Sequence, residues 1–297
     1  MSPGDDSQLV DVDGRRVRIG HLDKVMYPSV GMTKAEVIDY YTRVAGALLP
    51  QLRDRPVTRI RFPGGVEGEH FFEKNIPAGA PDWLRRQRLR AAPGAQDEGK
   101  ELTFPFLDDL AALVWAANSG ALELHTPQWR VGPRGGLRHP DRLVIDLDPG
   151  PPAALRECVR VARLVADRLR ADGLDPVPVT SGGKGLQLYA PLDGRRTVLT
   201  VRRYARDLAS ELAAAHPHLV VAVMRKNLRG GKVLLDWSQN NPGKTTITPY
   251  SLRGRDLPTV AAPRTWAELD DDGLRQLSPD EVLARLGEFG DLVAAQS

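Results

Sequence analysis

The chain has 297 residues, 41% hydrophobic and 27% charged, with a formal net charge of +3, the balance of an ordinary globular protein long enough for a full core. No apolar run approaches the ~20 residues of a membrane span, and the acidic, polar start MSPGDDSQLVDVDG lacks the basic and apolar stretches of a secretory signal. A single cysteine, Cys158, excludes an internal disulfide and a cysteine-based zinc site, so the default expectation is a soluble cytoplasmic protein.

Residues 1–14 read as a loose tail, and residues 15–297 as one domain without repeats or low-complexity tracts. Thr33-Lys34-Ala35-Glu36 fits a capping box that opens a helix through Leu49, ending before Pro50. Pro56 to Phe62 suits a strand, followed by the turn Pro63-Gly64-Gly65. Ala91 to Gly99 is polar loop, and Phe104 to Ala117 is expected to be helical. Arg142 to Leu147 is a β-branched run that enters a turn at Asp148-Pro149-Gly150. Pro152 to Ala171 is the clearest amphipathic helix, stopped by Gly173, and it places Cys158 at a buried position. Strands are expected at Val177 to Thr180 and Leu186 to Ala190, then a helix over Val201 to Ala215. Further strands are expected near Leu219 to Val223 and Val233 to Trp237, with a capped helix from Ser278 to Leu286. The order is mixed α and β, without regular βαβ alternation.

Asp146 and Asp148 stand two apart at the end of a strand, so their side chains share a face. Side by side in an apolar strand they repel each other and lose hydration, and a divalent cation would relieve both penalties. Asp236 lies in a second apolar strand, VLLDW. Three such acids can hold two Mg²⁺ or Mn²⁺ ions for an in-line phosphoryl displacement. The plainer alternative has Asp148 simply starting the turn before Pro149-Gly150.

Thr180-Ser181-Gly182-Gly183-Lys184-Gly185 joins two strand-like runs. Its glycines let backbone N–H groups approach an anion, while Ser181 adds a hydroxyl and Lys184 a charge. The spacing is not that of a Walker A loop, and a flexible hairpin turn is the alternative. Phe71 and Phe72 beside Lys74 suit either core packing or base stacking. A lone histidine such as His125 is usually a core residue. Basic clusters at Arg53 to Arg61, Arg85 to Arg90, Arg225 to Lys232, and Arg253 with Arg255 could form a phosphate-binding groove or plain solvated surface.

Taken in order, the segments LDKVMYP, TKAEVIDYY, FFEK, LELHTPQW, RLVIDLDPG, VTSGGKGLQLY, KVLLDWSQN and TTITPYSLRGR resemble the polymerase domains of the bacterial LigD repair ligases, members of the archaeo-eukaryotic primase superfamily. The resemblance covers nearly the whole chain. It implies an α+β primase-polymerase fold, with mixed antiparallel sheets and flanking helices around a central acidic cleft. It implies Asp146, Asp148 and Asp236 as carboxylates for two Mn²⁺ or Mg²⁺ ions. Ser181, Lys184 and Arg253 would grip a nucleotide triphosphate, with His125 beside the triphosphate and sugar. Phe71 and Phe72 would stack on bases, Gln239 and Arg229 would lie near the active site, and Lys24 with Lys34 would bind a DNA 5′ phosphate. Implied partners are primed, gapped or broken DNA, NTPs and dNTPs, together with Ku and a separate DNA ligase, in a nucleoid-associated setting. Family members often prefer ribonucleotides and manganese. Two positions depart from the pattern: Gln187 stands where many relatives carry His, and His21 where some carry Asn.

The chain has no Lys-x-Asp-Gly ligase motif, so the expectation is a stand-alone member or an excised domain. Met1 and the tapering end GEFGDLVAAQS favour the former. Three functions compete: a primase-polymerase that fills gaps or extends ends in break repair, a non-catalytic module for DNA ends or gaps, and a metal-dependent nuclease. The three acids argue against a pure binding module. Ser181, Lys184 and Arg253 suit a triphosphate better than they suit a nuclease.

Overall fold

The run RLVIDLDP forms the eight-residue strand Arg142–Pro149 around which the fold is organised. The computed structural model describes residues 7–92, 95 and 97–294. Along this strand the two-residue side-chain period separates two environments. Leu143, Ile145 and Leu147 pack with Cys158, Val161 and Val165 of the helix Leu155–Ala171, and with Val201, Ala205 and Leu208 of the helix Val198–Ala215. Each such side chain, fully removed from water, contributes roughly 1.5–3 kcal/mol. On the opposite face Val144 joins Val179, Tyr189, Ile247 and Ala261 in a smaller cluster. Asp146 and Asp148 lie on Val144's face, beyond the end of that cluster.

The central strand belongs to a six-stranded sheet in the order Val220–Val221, Val233–Asp236, Arg142–Pro149, Leu186–Pro191, Val177–Thr180, Ala262–Pro263. Every pairing is antiparallel except that of Val220–Val221 with Val233–Asp236. A four-stranded antiparallel sheet runs Thr246–Ile247, Ala121–Thr126, Thr58–Arg61, Phe71–Glu73. Its core is shared with the helices Lys34–Leu52 and Leu110–Asn118, through Tyr41, Val44, Leu48, Leu113, Ala116, Leu122 and Leu124. Ile247 sits in the second sheet yet packs against Val144 and Tyr189 of the first, so the two sheets face each other across the acidic end of the central strand. The α+β architecture expected from the sequence is the one observed.

Several local expectations need correction. The segment expected as a loose tail carries a strand, Ser7–Val12, paired antiparallel with Arg15–Gly20; residues 1–6 of that tail lie outside the described residues. The hairpin turns at Asp13 and Gly14, both at positive φ, the Asp-Gly chemistry that two-residue hairpin loops favour. The helix expected from Phe104 begins at Leu110, because Glu101–Pro105 pairs with Arg86–Arg90 as a strand and Asp109 supplies the N-cap, accepting from Ala112 N–H at 2.9 Å. In the loop Ala91 to Gly99, residues 93, 94 and 96 lie outside the described residues. The first helix keeps its expected capping box but runs past Pro50 to Leu52, closed by Arg53 N–H on Leu49. Cys158 is fully buried, as its helix position required. Among the described residues, no helix is long and apolar enough to cross a membrane.

Candidate active site

Strand register brings the acids together. Asp146 lies directly opposite Asp236 on one neighbouring strand and opposite Gln187 on the other. Cross-strand partners share a face at Cβ separations of about 4.5–5.5 Å, so Asp236, Asp146 and Gln187 form one row, with Asp148 two residues further along. Gln187 donates its amide N–H to Asp146 Oδ1 at 3.1 Å and accepts from the Tyr189 hydroxyl at 3.3 Å. Asp236 is buried; its Oδ1 accepts from Ser238 N–H at 2.9 Å and its Oδ2 from the Gln239 amide at 3.0 Å. Asp148 is exposed at the mouth of the row.

This crowding shows in the acids' chemistry. Burial, then the charges of Asp148 and Asp236, push the Asp146 carboxyl up to about 8, against which Gln187 and Arg253 act only partly. Asp148 is likewise raised, by loss of hydration and by Asp236, with Arg229 and Arg253 opposing. A row of carboxylates with too little cationic compensation is a hard, all-oxygen donor set that suits Mg²⁺ or Mn²⁺ with water completing the shell. Among the described residues, no three His, Cys, Asp or Glu side chains converge as a ready-made cage. The oxygens of Asp146 and Asp236 are turned instead toward Gln187, Ser238 and Gln239.

Asp146 and Asp148 floor a cleft of about 410 Å³ whose walls include His125, Ser181, Lys184, Gln239, Thr246, Arg253 and Arg255, with Asp236 buried behind them. The glycine-rich loop Thr180 to Gly185 forms one wall. Ser181 Oγ accepts from the N–H groups of Gly183 and Gly185 at 3.2 and 3.3 Å, so its hydroxyl shapes the loop. Gly185 tolerates no side chain, since a Cβ there would lie 2.1 Å from Leu147 O. Gly182, at φ +67°, is pressed against Arg253 and Val260. Gln276 braces the loop by accepting from Gly182 N–H at 2.7 Å and donating to Gly185 O at 3.2 Å. Thr259 donates to Gly182 O at 2.5 Å. Lys184 is exposed on the cleft wall.

Arg253, packed against Gly182 of the loop, and His125 meet at one carboxylate. His125 Nε2 contacts Glu123 Oε2 at 2.9 Å, and Arg253 Nη1 lies 3.4 Å from the same oxygen. Burial opposes charge on Glu123, yet His125, Arg253 and the Gly254 N–H hold it at about 2. Burial also lowers His125, with Glu123 pulling the other way. Phe71 and Phe72 are 46% and 58% exposed, which removes core packing as their role. The Phe72 ring centroid lies 6.0 Å from that of His125.

Lys24 and Lys34 are brought together away from the acids. The Lys24 ammonium donates to Pro63 O and remains exposed. Lys34 is buried and donates to Gly20 O at 2.8 Å. Burial, then Lys24 and Arg61, lower its affinity for a proton, which marks a cluster of like charges. His21 stands beside them with a positive φ of 54°. Arg229 lies near Asp148, its guanidinium donating to Met224 O at 2.7 Å. Glu123, Thr259 and Gln276 carry no signal of their own along the chain, because their role depends on contacts between distant segments.

An acidic row on one sheet, faced by a glycine-loop lysine and a returning arginine across a two-sheet α+β scaffold, defines the primase-polymerase class of domain. The chain belongs to the LigD primase-polymerase domain family, whose model matches residues 33–293. It is 48% identical over 284 residues to the multifunctional non-homologous end joining DNA repair protein LigD of Mycobacterium tuberculosis, covering 94% of this chain and 37% of that protein. It is 35% identical over 277 residues to the bifunctional LigD of Bacillus subtilis, covering 93% of this chain and 43% of that protein. The chain thus spans well under half the length of these curated relatives. The solved polymerase domain of Mycobacterium tuberculosis Ligase D in complex with DNA superposes with a TM-score of 0.89, covering 95% of this chain and 98% of that one.

Proposed function

We propose that the chain is a DNA-dependent nucleotidyltransferase that adds ribo- or deoxyribonucleotides to a DNA 3′ end, in gap filling or in the joining of broken ends. The observation that carries it is the cross-strand row Asp236–Asp146–Gln187 with Asp148, facing Lys184 and Arg253 across one cleft. Asp146, Asp148 and Asp236 would hold two Mn²⁺ or Mg²⁺ ions, which stabilise the developing charge of a phosphoryl transfer. Lys184 and Arg253 bind the triphosphate through charge-assisted hydrogen bonds. The N–H groups of Gly182, Gly183 and Gly185 are engaged by Gln276 and Ser181, so they hold the loop shape from which Lys184 reaches the anion. Phe72, exposed beside His125, offers a flat apolar face to the bases, with Phe71 exposed next to it in the strand Phe71–Glu73. Lys24, exposed beside the buried Lys34, forms a separate positive patch suited to the 5′ phosphate on the far side of a gap. The relatives' setting extends the proposal to Ku and a ligase activity as partners in end joining.

Primed template, each nucleotide type, and Mg²⁺ or Mn²⁺ test this directly. Extension of the primer is expected. Retention without extension would leave only a binding module, and shortening would mean a nuclease.

A further inference from the structure

The cleft's cationic wall rests on one buried carboxylate. Glu123 is 4% exposed, in the strand Ala121–Thr126, two residues from His125 and on the same face. Its Oε2 meets His125 Nε2 at 2.9 Å and Arg253 Nη1 at 3.4 Å. Its Oε1 accepts the Gly254 N–H at 3.0 Å. The Gly254 backbone comes close enough for this only because it has no side chain: a Cβ there would fall 2.0 Å from the Phe62 ring. Arg253 O accepts from the Tyr27 hydroxyl at 2.9 Å. The Arg253 residue is therefore held at its side chain, its carbonyl, the following amide and its own N–H, which donates to Thr259 O at 2.8 Å, and two of those four restraints end on Glu123.

We infer that Glu123 is the positioning residue of the nucleotide site: one carboxylate orients both the His125 imidazole and the Arg253 guanidinium so that their remaining donors face the triphosphate. The inference rests on the proposed nucleotidyltransferase function. A buried Glu on a sheet face ordinarily costs stability, and here its partners are two residues lining the cleft rather than a structural arginine elsewhere. Glu123 itself does not line the cleft, so it acts through those two groups. Orientation matters because an arginine's planar fork loses its two-pronged contact when it rotates.

The test is a double-mutant cycle read by direct binding of a nucleoside triphosphate to the full chain, with DNA affinity measured alongside. Glu123→Gln keeps the shape and removes the charge. It is expected to weaken triphosphate binding about tenfold, the scale of one charge-assisted hydrogen bond, and to leave gapped-DNA affinity unchanged. In an Arg253→Ala background the same substitution is expected to cost less than about threefold, since the group it positions is gone. Glu123→Asp, one methylene shorter, is expected to retain charge yet lose most of the affinity, and it carries the test should Glu123→Gln fail to fold. Equal losses in both backgrounds, or binding unchanged or tightened by Glu123→Gln, overturn the inference. Absence of triphosphate binding by the wild-type chain would instead overturn the function on which it rests.

Discussion

Replacing Asp146 by Asn should make the metal-free fold more stable while removing its response to divalent ions. Asp146 sits opposite Asp236 with its carboxyl pushed up to about 8, against an ordinary 3.8. At pH 7 the unfolded chain has lost this proton and the folded chain keeps it. About three pH units at about 1.4 kcal/mol each set an upper bound of about 4 kcal/mol for the cost to the fold. Asn retains the oxygen that accepts from Gln187 and carries no charge, so it recovers part of that cost. With side-chain relaxation the expected gain is roughly 1–3 kcal/mol, a rise in Tm of about 2–6 °C for a domain of this size. The sign follows from the raised value. The acid contributes fully below its unfolded pKa, and that contribution is lost as pH rises toward 8, so the advantage of Asn is negligible near pH 4 and largest near pH 8. Millimolar Mn²⁺ should raise the Tm of the wild type, because a ligand that binds only the folded state stabilises it, and should barely move the variant. Thermal melts across pH 4–9 with EDTA or Mn²⁺ measure both effects. A variant no more stable than wild type at pH 8 in EDTA, or an undiminished Mn²⁺ shift, refutes the reasoning.

Asp148→Ala should abolish primer extension and leave gapped-DNA binding within about twofold, because Asp148 stands at the mouth of the acidic row rather than in the core; near-normal extension rules out its role. Lys184→Ala should raise the nucleotide KM about tenfold with little change in DNA affinity, and steady-state kinetics that moved DNA affinity instead would assign Lys184 to the backbone. Lys24→Ala should erase any preference for a 5′-phosphorylated gap at matched salt, whereas Lys34→Ala should also lower Tm, since its ammonium is buried on Gly20 O; equal affinity of wild type for both gaps removes the patch from the account. Gly185→Ala should destabilise the loop by several kcal/mol, because the added methyl meets Leu147 O, and an unchanged melting temperature would contradict that contact.

Much of the site was legible because it is local. The i, i+2 spacing of Asp146 and Asp148 fixes a shared face whatever the strand pairs with, and the glycines of residues 182–185 announce a close backbone approach. What was not legible is set by register. Asp236 opposite Asp146, and Gln187 on its other side, follow from pairings between segments some 40 to 90 residues apart. Glu123 reads as an ordinary strand acid until Arg253 and Gly254 return from the far end of the sequence. The strand Arg86–Arg90 was missed because its alternation is charge with Gln87 and Leu89, and the last two residues of its partner Glu101–Pro105 read as the start of the helix beyond. Lys34 was found, but its ammonium is engaged on Gly20 O, a tertiary contact that spacing cannot reveal.

The most direct measurement of the central claim uses a DNA gap of one nucleotide, with each of the four template bases in turn, supplied with all nucleotides and Mn²⁺. Wild type should add the complementary nucleotide to the 3′ hydroxyl in every case, and Asp146→Ala should add none. Additions that ignore the template base, a shortened primer, or equal product from the variant would contradict an acid-dependent, template-directed transfer.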